Sequence, residues 1–107
     1  MVKSIFVAVI LSFLALQVWA ENPASLSDAE IAAAISSSDD FTTYKDVFVV
    51  ATREVMKQRT CSLQSLKDDG GWWKSTNRGP GVYFIYCGGQ TVRDRFYVNV
   101  KTGKVTQ

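Results

Sequence analysis

The chain has 107 residues, with 12 Lys and Arg against 10 Asp and Glu, two Cys and no His. This length predicts a single domain. The lack of His excludes a Ser–His–Asp triad, a Cys–His dyad and a His-ligated zinc site, and two Cys are too few for a four-thiolate site. We therefore expect a protein that is not an enzyme and that holds neither a metal nor another cofactor.

Residues 1–20 have the pattern of a secretory signal peptide. Lys3 supplies a positive charge before a mostly apolar run from Ile5 to Val18, and Val18-Trp19-Ala20 places small residues at the positions that a signal peptidase reads. The alternative is a membrane anchor, but these 14 residues would span only roughly 21 Å as a helix, short of a ~30 Å hydrocarbon core. We expect a mature domain of residues 21–107 with no membrane span and a periplasmic or secreted location.

Cys61 and Cys87 are the only cysteines, and an exported protein meets an oxidising compartment. The sequence therefore predicts a disulfide that closes a loop of 27 residues. The chain-entropy model gives such a bridge a stabilisation of roughly 3.5 kcal/mol. The alternatives are a redox-active pair, which the absence of a CxxC spacing disfavours, and pairing between two chains.

The first helix is predicted at about residues 28–36. Ser27 and Glu30 have the spacing of a capping box, and Leu26 and Ile31 the spacing of a hydrophobic staple. A run of serines after Ile35 then predicts the end of this helix.

A second, longer helix is predicted at about residues 41–59, because apolar residues recur there at helical spacing. Val49, Val50 and Met56 add apolar positions, so we expect burial on more than one side. The alternative is a strand over residues 42–50, whose composition favours a sheet but whose apolar residues do not alternate. The residues of the main helical face are Phe41, Tyr44, Phe48, Ala51 and Val55.

The last third of the chain predicts antiparallel strands. Residues 82–87 form an aromatic and β-branched run in which Tyr83 and Ile85 share a face with Cys87. Residues 95–100 alternate, and a Thr-Gly turn leads to an edge strand at Val105. We expect an α+β domain in which the helices pack on a meander of about three strands, tied by the disulfide. Residues 72–81 are predicted as a loop with room for one more short strand.

The segment from Arg95 to Val105 resembles the closing hairpin of PepSY-type modules, in which a strand runs into a Thr-Gly turn. Those modules are small exported α+β domains. The resemblance implies a binding or inhibitory module rather than a catalyst.

Two pairs of neighbouring acids, Asp39-Asp40 and Asp68-Asp69, suggest paired carboxylates. On a helix, however, successive side chains point about 100° apart and are poorly placed to share a proton or a metal ion. We therefore predict that the first pair caps the second helix and that the second pair belongs to a turn.

Two groups of residues are candidates for binding. Successive side chains of an extended chain point to opposite sides, so one of Trp72 and Trp73 should be exposed, with Lys74 and Arg78 beside it. The alternative is that both indoles close the core. The second candidate is a strand face that interleaves bases with Tyr97, whose alternative is an ordinary solvated sheet face. Its residues are Arg93, Arg95, Tyr97, Asn99 and Lys101.

Together these features predict a small exported protein that binds and occludes a protein partner, such as an inhibitor or immunity protein of the cell envelope. One alternative is a module that binds glycans or small ligands through Trp72 and Trp73. Another is a structural accessory subunit of an envelope assembly. Nucleic acid is not an expected partner, because the mature chain carries a net charge of only +1 and is exported.

Overall fold

A computed structural model describes residues 22–107 as three helices followed by a four-stranded antiparallel sheet. The strands lie in sequence order, and the predicted α+β class is confirmed. The predicted signal peptide, residues 1–20, lies outside the described residues. Within residues 22–107, no helix has the length and apolar character needed to cross a membrane. The elements are α1 Asp28–Ala34, α2 Phe41–Gln58, α3 Leu63–Asp68, β1 Trp73–Lys74, β2 Val82–Tyr86, β3 Arg95–Asn99 and β4 Val105–Thr106, with 3₁₀ turns at Pro23–Ser25 and Val92–Asp94.

The start of α1 has the predicted capping box. The hydroxyl of Ser27 accepts from the Glu30 amide at 3.1 Å, and the Glu30 carboxylate accepts from the Ser27 amide at 3.1 Å. The helix ends at Ala34, two residues earlier than predicted, because Ile35 leaves helical geometry and Ser38 turns inward.

The helical interpretation of α2 is confirmed over the strand alternative. Phe48, Ala51 and Val55 are buried, as are Val49 and Met56. The expectation for Val50 was wrong, because its side chain is 69% exposed on the solvent side of the helix.

The sheet turns one face toward the helices. Alternation along β2 and β3 places Tyr83 and Ile85, together with Phe96 and Val98, in a single buried cluster that also contains Phe48. The sheet has four strands where about three were expected, and the additional strand is the two-residue β1. It lies within the segment predicted as a loop with room for a short strand.

The predicted disulfide is present. Cys61 follows α2 and Cys87 follows β2, with their Cα atoms 5.4 Å apart. Arg59 lies beside the bridge, where its guanidinium donates to the Cys87 carbonyl at 3.3 Å and pairs with Asp94 at 3.1 Å. The bridge therefore fixes the end of the long helix to the end of the first long strand.

Replacing both cysteines with Ala should lower the free energy of unfolding by about 3 kcal/mol, because the unfolded chain gains the entropy of an open loop. Urea unfolding followed by far-UV circular dichroism measures the change. Wild-type protein kept in a reductant should lose stability in the same way, whereas an unchanged urea midpoint in both would contradict this role of the bridge.

Candidate functional site

The two adjacent tryptophans point to opposite sides of the sheet. Trp72 is fully buried, and its indole stacks on Phe48 with ring centroids 5.6 Å apart. Its indole N–H donates to the Thr52 hydroxyl at 3.0 Å, and its amide donates to the Ser38 hydroxyl at 2.7 Å. Trp73 is 44% exposed on the other side, where its indole N–H donates to the Asp69 carbonyl at 2.9 Å. Trp72 therefore belongs to the core, and Trp73 is the exposed member of the pair.

Trp72→Ala should lower the free energy of unfolding by about 3–5 kcal/mol, because it leaves a cavity beside Phe48. Trp73→Ala should cost about 1 kcal/mol, since its side chain is already 44% exposed and loses one hydrogen bond. Urea unfolding by far-UV circular dichroism compares the two variants. Equal losses would show that both indoles are structural.

The face of the sheet turned away from the helices is rich in aromatic side chains. Strand register places Trp73 opposite Phe84, Phe84 opposite Tyr97, and Tyr97 opposite Thr106, in one row across the sheet. The buried cluster of the described chain contains Tyr83 but none of these three aromatic residues. We call this surface the outer face; the strand residues on it are Trp73, Val82, Phe84, Tyr86, Arg95, Tyr97, Asn99 and Thr106.

Two arginines lie on the rings of the outer face. The guanidinium carbon of Arg95 is 4.1 Å from the Phe84 centroid, and its Nη2 donates to the Tyr86 hydroxyl at 2.9 Å. That hydrogen bond, with a second one that the guanidinium donates to Tyr97, raises the pKa of Arg95 above its usual value. Arg78 lies 3.8 Å from the Tyr97 centroid. Cation–π contacts of this kind attract a guanidinium to the face of an aromatic ring.

Neither Arg78 nor Arg95 has a carboxylate partner among the ion pairs of the described chain. The four ion pairs within residues 22–107 use Arg53, Lys57, Arg59 and Lys74. Arg78 and Arg95 instead contact aromatic rings, so their charge is not neutralised within the domain. The outer face is therefore both aromatic and cationic.

The structure brings together some of the predicted binding residues and separates others. Trp73, Arg95 and Tyr97 share the outer face, and Arg78 reaches it from the loop before β2. Tyr97 is only 6% exposed because Arg78 covers it, so it supports that arginine rather than offering a free ring.

Four other predicted residues lie elsewhere. Lys101, predicted on the strand face, lies in the turn after β3. Trp72 is in the core, and Arg93 lies in the Val92–Asp94 turn rather than on the strand. Lys74 points to the other side of β1, where its ammonium lies 3.1 Å from the Asp40 carboxylate.

Phe84 and Tyr86 were missed as members of the site. The signal was present in the sequence, because alternation had already assigned Tyr83 and Ile85 to the face of Cys87. Phe84 and Tyr86 alternate with Tyr83 and Ile85 along β2, so the same pattern predicts that they point outward. Thr52 was missed as well, because a lone Thr between apolar residues gives no sign that its hydroxyl will receive an indole N–H.

A polar groove of about 550 Å³ lies between the start of α2 and the loop before β2. Asp40 lies at its edge in a left-handed conformation, φ 54°, and the prediction that it caps α2 was wrong, because its side chain makes no capping hydrogen bond. Its carboxylate instead accepts from the Tyr83 hydroxyl at 2.5 Å and pairs with Lys74. Asp39 likewise accepts from the Lys74 amide at 2.7 Å. Both acids therefore tie the helix start to the sheet.

The hydrogen bond from Tyr83, with that from Lys74, lowers the pKa of Asp40. A carboxyl with a lowered pKa in the folded state stabilises it above the unfolded pKa of about 3.9 and loses that contribution as the pH falls. The pKa of Asp94 is lowered too, mainly by hydrogen bonds from Thr91. The contribution of Asp40 to the pH dependence of stability is therefore separated from that of Asp94 by comparing the wild type with a variant at Asp40.

Asp40→Asn suits this comparison because Asn tolerates the left-handed conformation. The wild-type protein should be the more stable at pH 6, and the difference should shrink at pH 3, which lies below the unfolded pKa of about 3.9. Urea unfolding at both pH values measures it, with Asp94 present in both proteins. A difference that is the same at pH 3 and pH 6 would contradict the assignment.

No group of three or more acidic or cysteine side chains within residues 22–107 is arranged to hold a metal ion. Comparison with known proteins gives no relative, since no protein-family model, curated protein or solved structure matches the chain. The resemblance of the segment from Arg95 to Val105 to PepSY-type modules thus stays a prediction.

Proposed function

We propose that this chain is an exported small binding protein that acts by occluding a protein partner, such as an inhibitor or immunity protein of the cell envelope. The observation that carries this proposal is the outer face, where Trp73 and Phe84 lie among arginines without carboxylate partners. Trp, Tyr and Arg are the residues that dominate the energetics of protein interfaces. No catalytic role is part of the proposal.

The shape of the outer face favours a protein over a small ligand. Small-molecule sites are usually enclosed pockets, whereas a sheet surface is open. Its rings are also held in place before binding, because Arg95 contacts both Phe84 and Tyr86. Little side-chain entropy is then lost on association, and this favours affinity.

The area of the sheet sets a requirement for the interface. Four strands, five residues long at the centre, cover roughly 250 Å². A stable interface needs about 800 Å² from each partner. The partner would therefore have to cover the flanking loops as well, including the one that carries Arg78 and the turn that carries Arg93.

Export is the second part of the proposal. It is supported by the signal-like pattern of residues 1–20 and by the Cys61–Cys87 disulfide, a bond favoured outside the cytosol. N-terminal sequencing of the exported protein should give Glu21 as the first residue. A chain that retains residues 1–20 after export would contradict this part.

The mature protein should retain one envelope protein in stoichiometric amount when it is immobilised and exposed to envelope extract. Trp73→Ala and Arg95→Ala should each reduce that retention tenfold or more, because a lost interface anchor costs more than about 1.4 kcal/mol. Mass spectrometry identifies the retained protein, whose own activity should fall as the complex forms.

Val50→Ala is the matched control, since Val50 is an exposed apolar residue on the helical side of the domain. It should retain the partner fully. Equal retention by all variants would remove the outer face as the site. Binding of cell-wall oligosaccharides through Trp73, with no protein retained, would replace the proposal with the glycan-binding alternative, and a homo-oligomer with no other partner would replace it with the structural one.

A further inference from the structure

We infer that a hollow on the outer face binds carboxylates, and that the partner therefore contacts this protein through an acidic segment. This inference rests on the proposed function and names the chemistry of the partner. The hollow has a volume of about 340 Å³ and lies between the loop before β2 and the turn that joins β3 to β4. Its lining includes Arg78, Val82, Tyr97, Asn99, Thr102 and Lys104.

The charged side chains that line the hollow are all positive. Arg78 and Lys104 are its charged lining residues, and no Asp or Glu lines it. Neither cation takes part in an ion pair of the described chain. The polar groove at Asp40 is different, because Lys74 is already paired there. An anionic group from a partner would thus be the first counter-charge that Arg78 and Lys104 meet.

The Arg78 guanidinium is oriented before any ligand arrives. It lies 3.8 Å above the Tyr97 centroid, which occupies one flat side of the group. The N–H donors of a guanidinium point outward in its plane, so stacking leaves them available for a bidentate carboxylate. Tyr97, nearly buried beneath the arginine, is the base of this arrangement.

The turn beside the hollow adds neutral donors. The Asn99 side-chain oxygen accepts from the Lys101 amide at 2.9 Å, which leaves the amide nitrogen of Asn99 as the donor. The Thr102 hydroxyl oxygen accepts from the Lys104 amide at 3.2 Å, which leaves its proton to be donated. A carboxylate only accepts hydrogen bonds, and it fits this set of donors.

The surrounding sheet carries the same sign of charge. Residues 73–107 contain six bases and one acid, and that acid, Asp94, is already engaged by Arg59 and Thr91. Charge complementarity thus selects an acidic protein segment and disfavours a basic one.

Two eight-residue peptides labelled with fluorescein test the inference, one alternating Glu and Thr and the other alternating Gln and Thr. Fluorescence anisotropy at low ionic strength should show the Glu peptide binding at least tenfold more tightly than the Gln peptide. Its affinity should fall as salt is added, because the attraction is screened. Equal binding of the two peptides would overturn the inference.

Charge reversal locates the site. Arg78→Glu and Lys104→Glu should each weaken binding of the Glu peptide at least tenfold, and should weaken binding of the retained envelope protein to a similar degree. Lys67→Glu is the matched control, because Lys67 is an exposed lysine on α3 that lines a hollow on the helical side. It should change neither affinity.

The outcomes separate this inference from the proposed function. If Trp73→Ala abolishes retention of the partner while both charge reversals leave it intact, the occluding function stands and the acidic anchor is wrong. If the Glu peptide binds through Arg78 and Lys104 but no envelope protein is retained, the carboxylate site stands and the occluding function is wrong.

Discussion

The docking of Trp72 on the helical layer is the contact on which the rest of the domain depends. Its ring stacks on Phe48, and its indole N–H donates to the Thr52 hydroxyl. Its backbone N–H donates to the Ser38 hydroxyl, and its carbonyl accepts from the Asp39 amide. Four separate interactions thus fix one residue at the entrance to β1. Because side chains alternate along a strand, fixing Trp72 inward forces Trp73 outward, and register then sets Phe84 and Tyr97 beside it.

The arginines and the short edge strands of the outer face protect an aromatic sheet surface from aggregation. Exposed apolar sheet surfaces promote aggregation, especially where edge strands are long. Here β1 and β4 are only two residues long, and Arg78 and Arg95 cover the rings with charged groups. The two arginines give the face a positive charge, so that two copies of it repel each other.

The sequence was sufficient for features that depend on neighbours along the chain. The capping box at Ser27, the helical spacing of α2 and the inward alternation of Tyr83 and Ile85 are local patterns, and the structure has all three. The disulfide was predictable because only one pairing within the chain exists. In each case a short stretch of chain, or a simple count, contains the cause.

Features set by distant contacts were not predictable in this way. Asp40 looked like a helix cap, yet it bonds Tyr83, 43 positions away, in a left-handed conformation. Tyr97 looked like an exposed ring, yet Arg78 from a separate loop covers it. Val50 looked like a core residue because nothing in the local pattern says how far the sheet extends over α2. Trp73, Arg78, Arg95 and Tyr97 were therefore predicted as members of the site, but their grouping with Phe84 and Tyr86 on one face was not.

The opposite placement of the two tryptophans also gives the domain a built-in optical probe. Within residues 22–107 these are the two indoles, one dry and stacked beneath the sheet and the other in contact with water. Their emission should differ in wavelength and in accessibility to a soluble quencher such as iodide. Of these two indoles only Trp73 is open to the quencher, so a molecule bound on the outer face of the domain would change the signal without any added label.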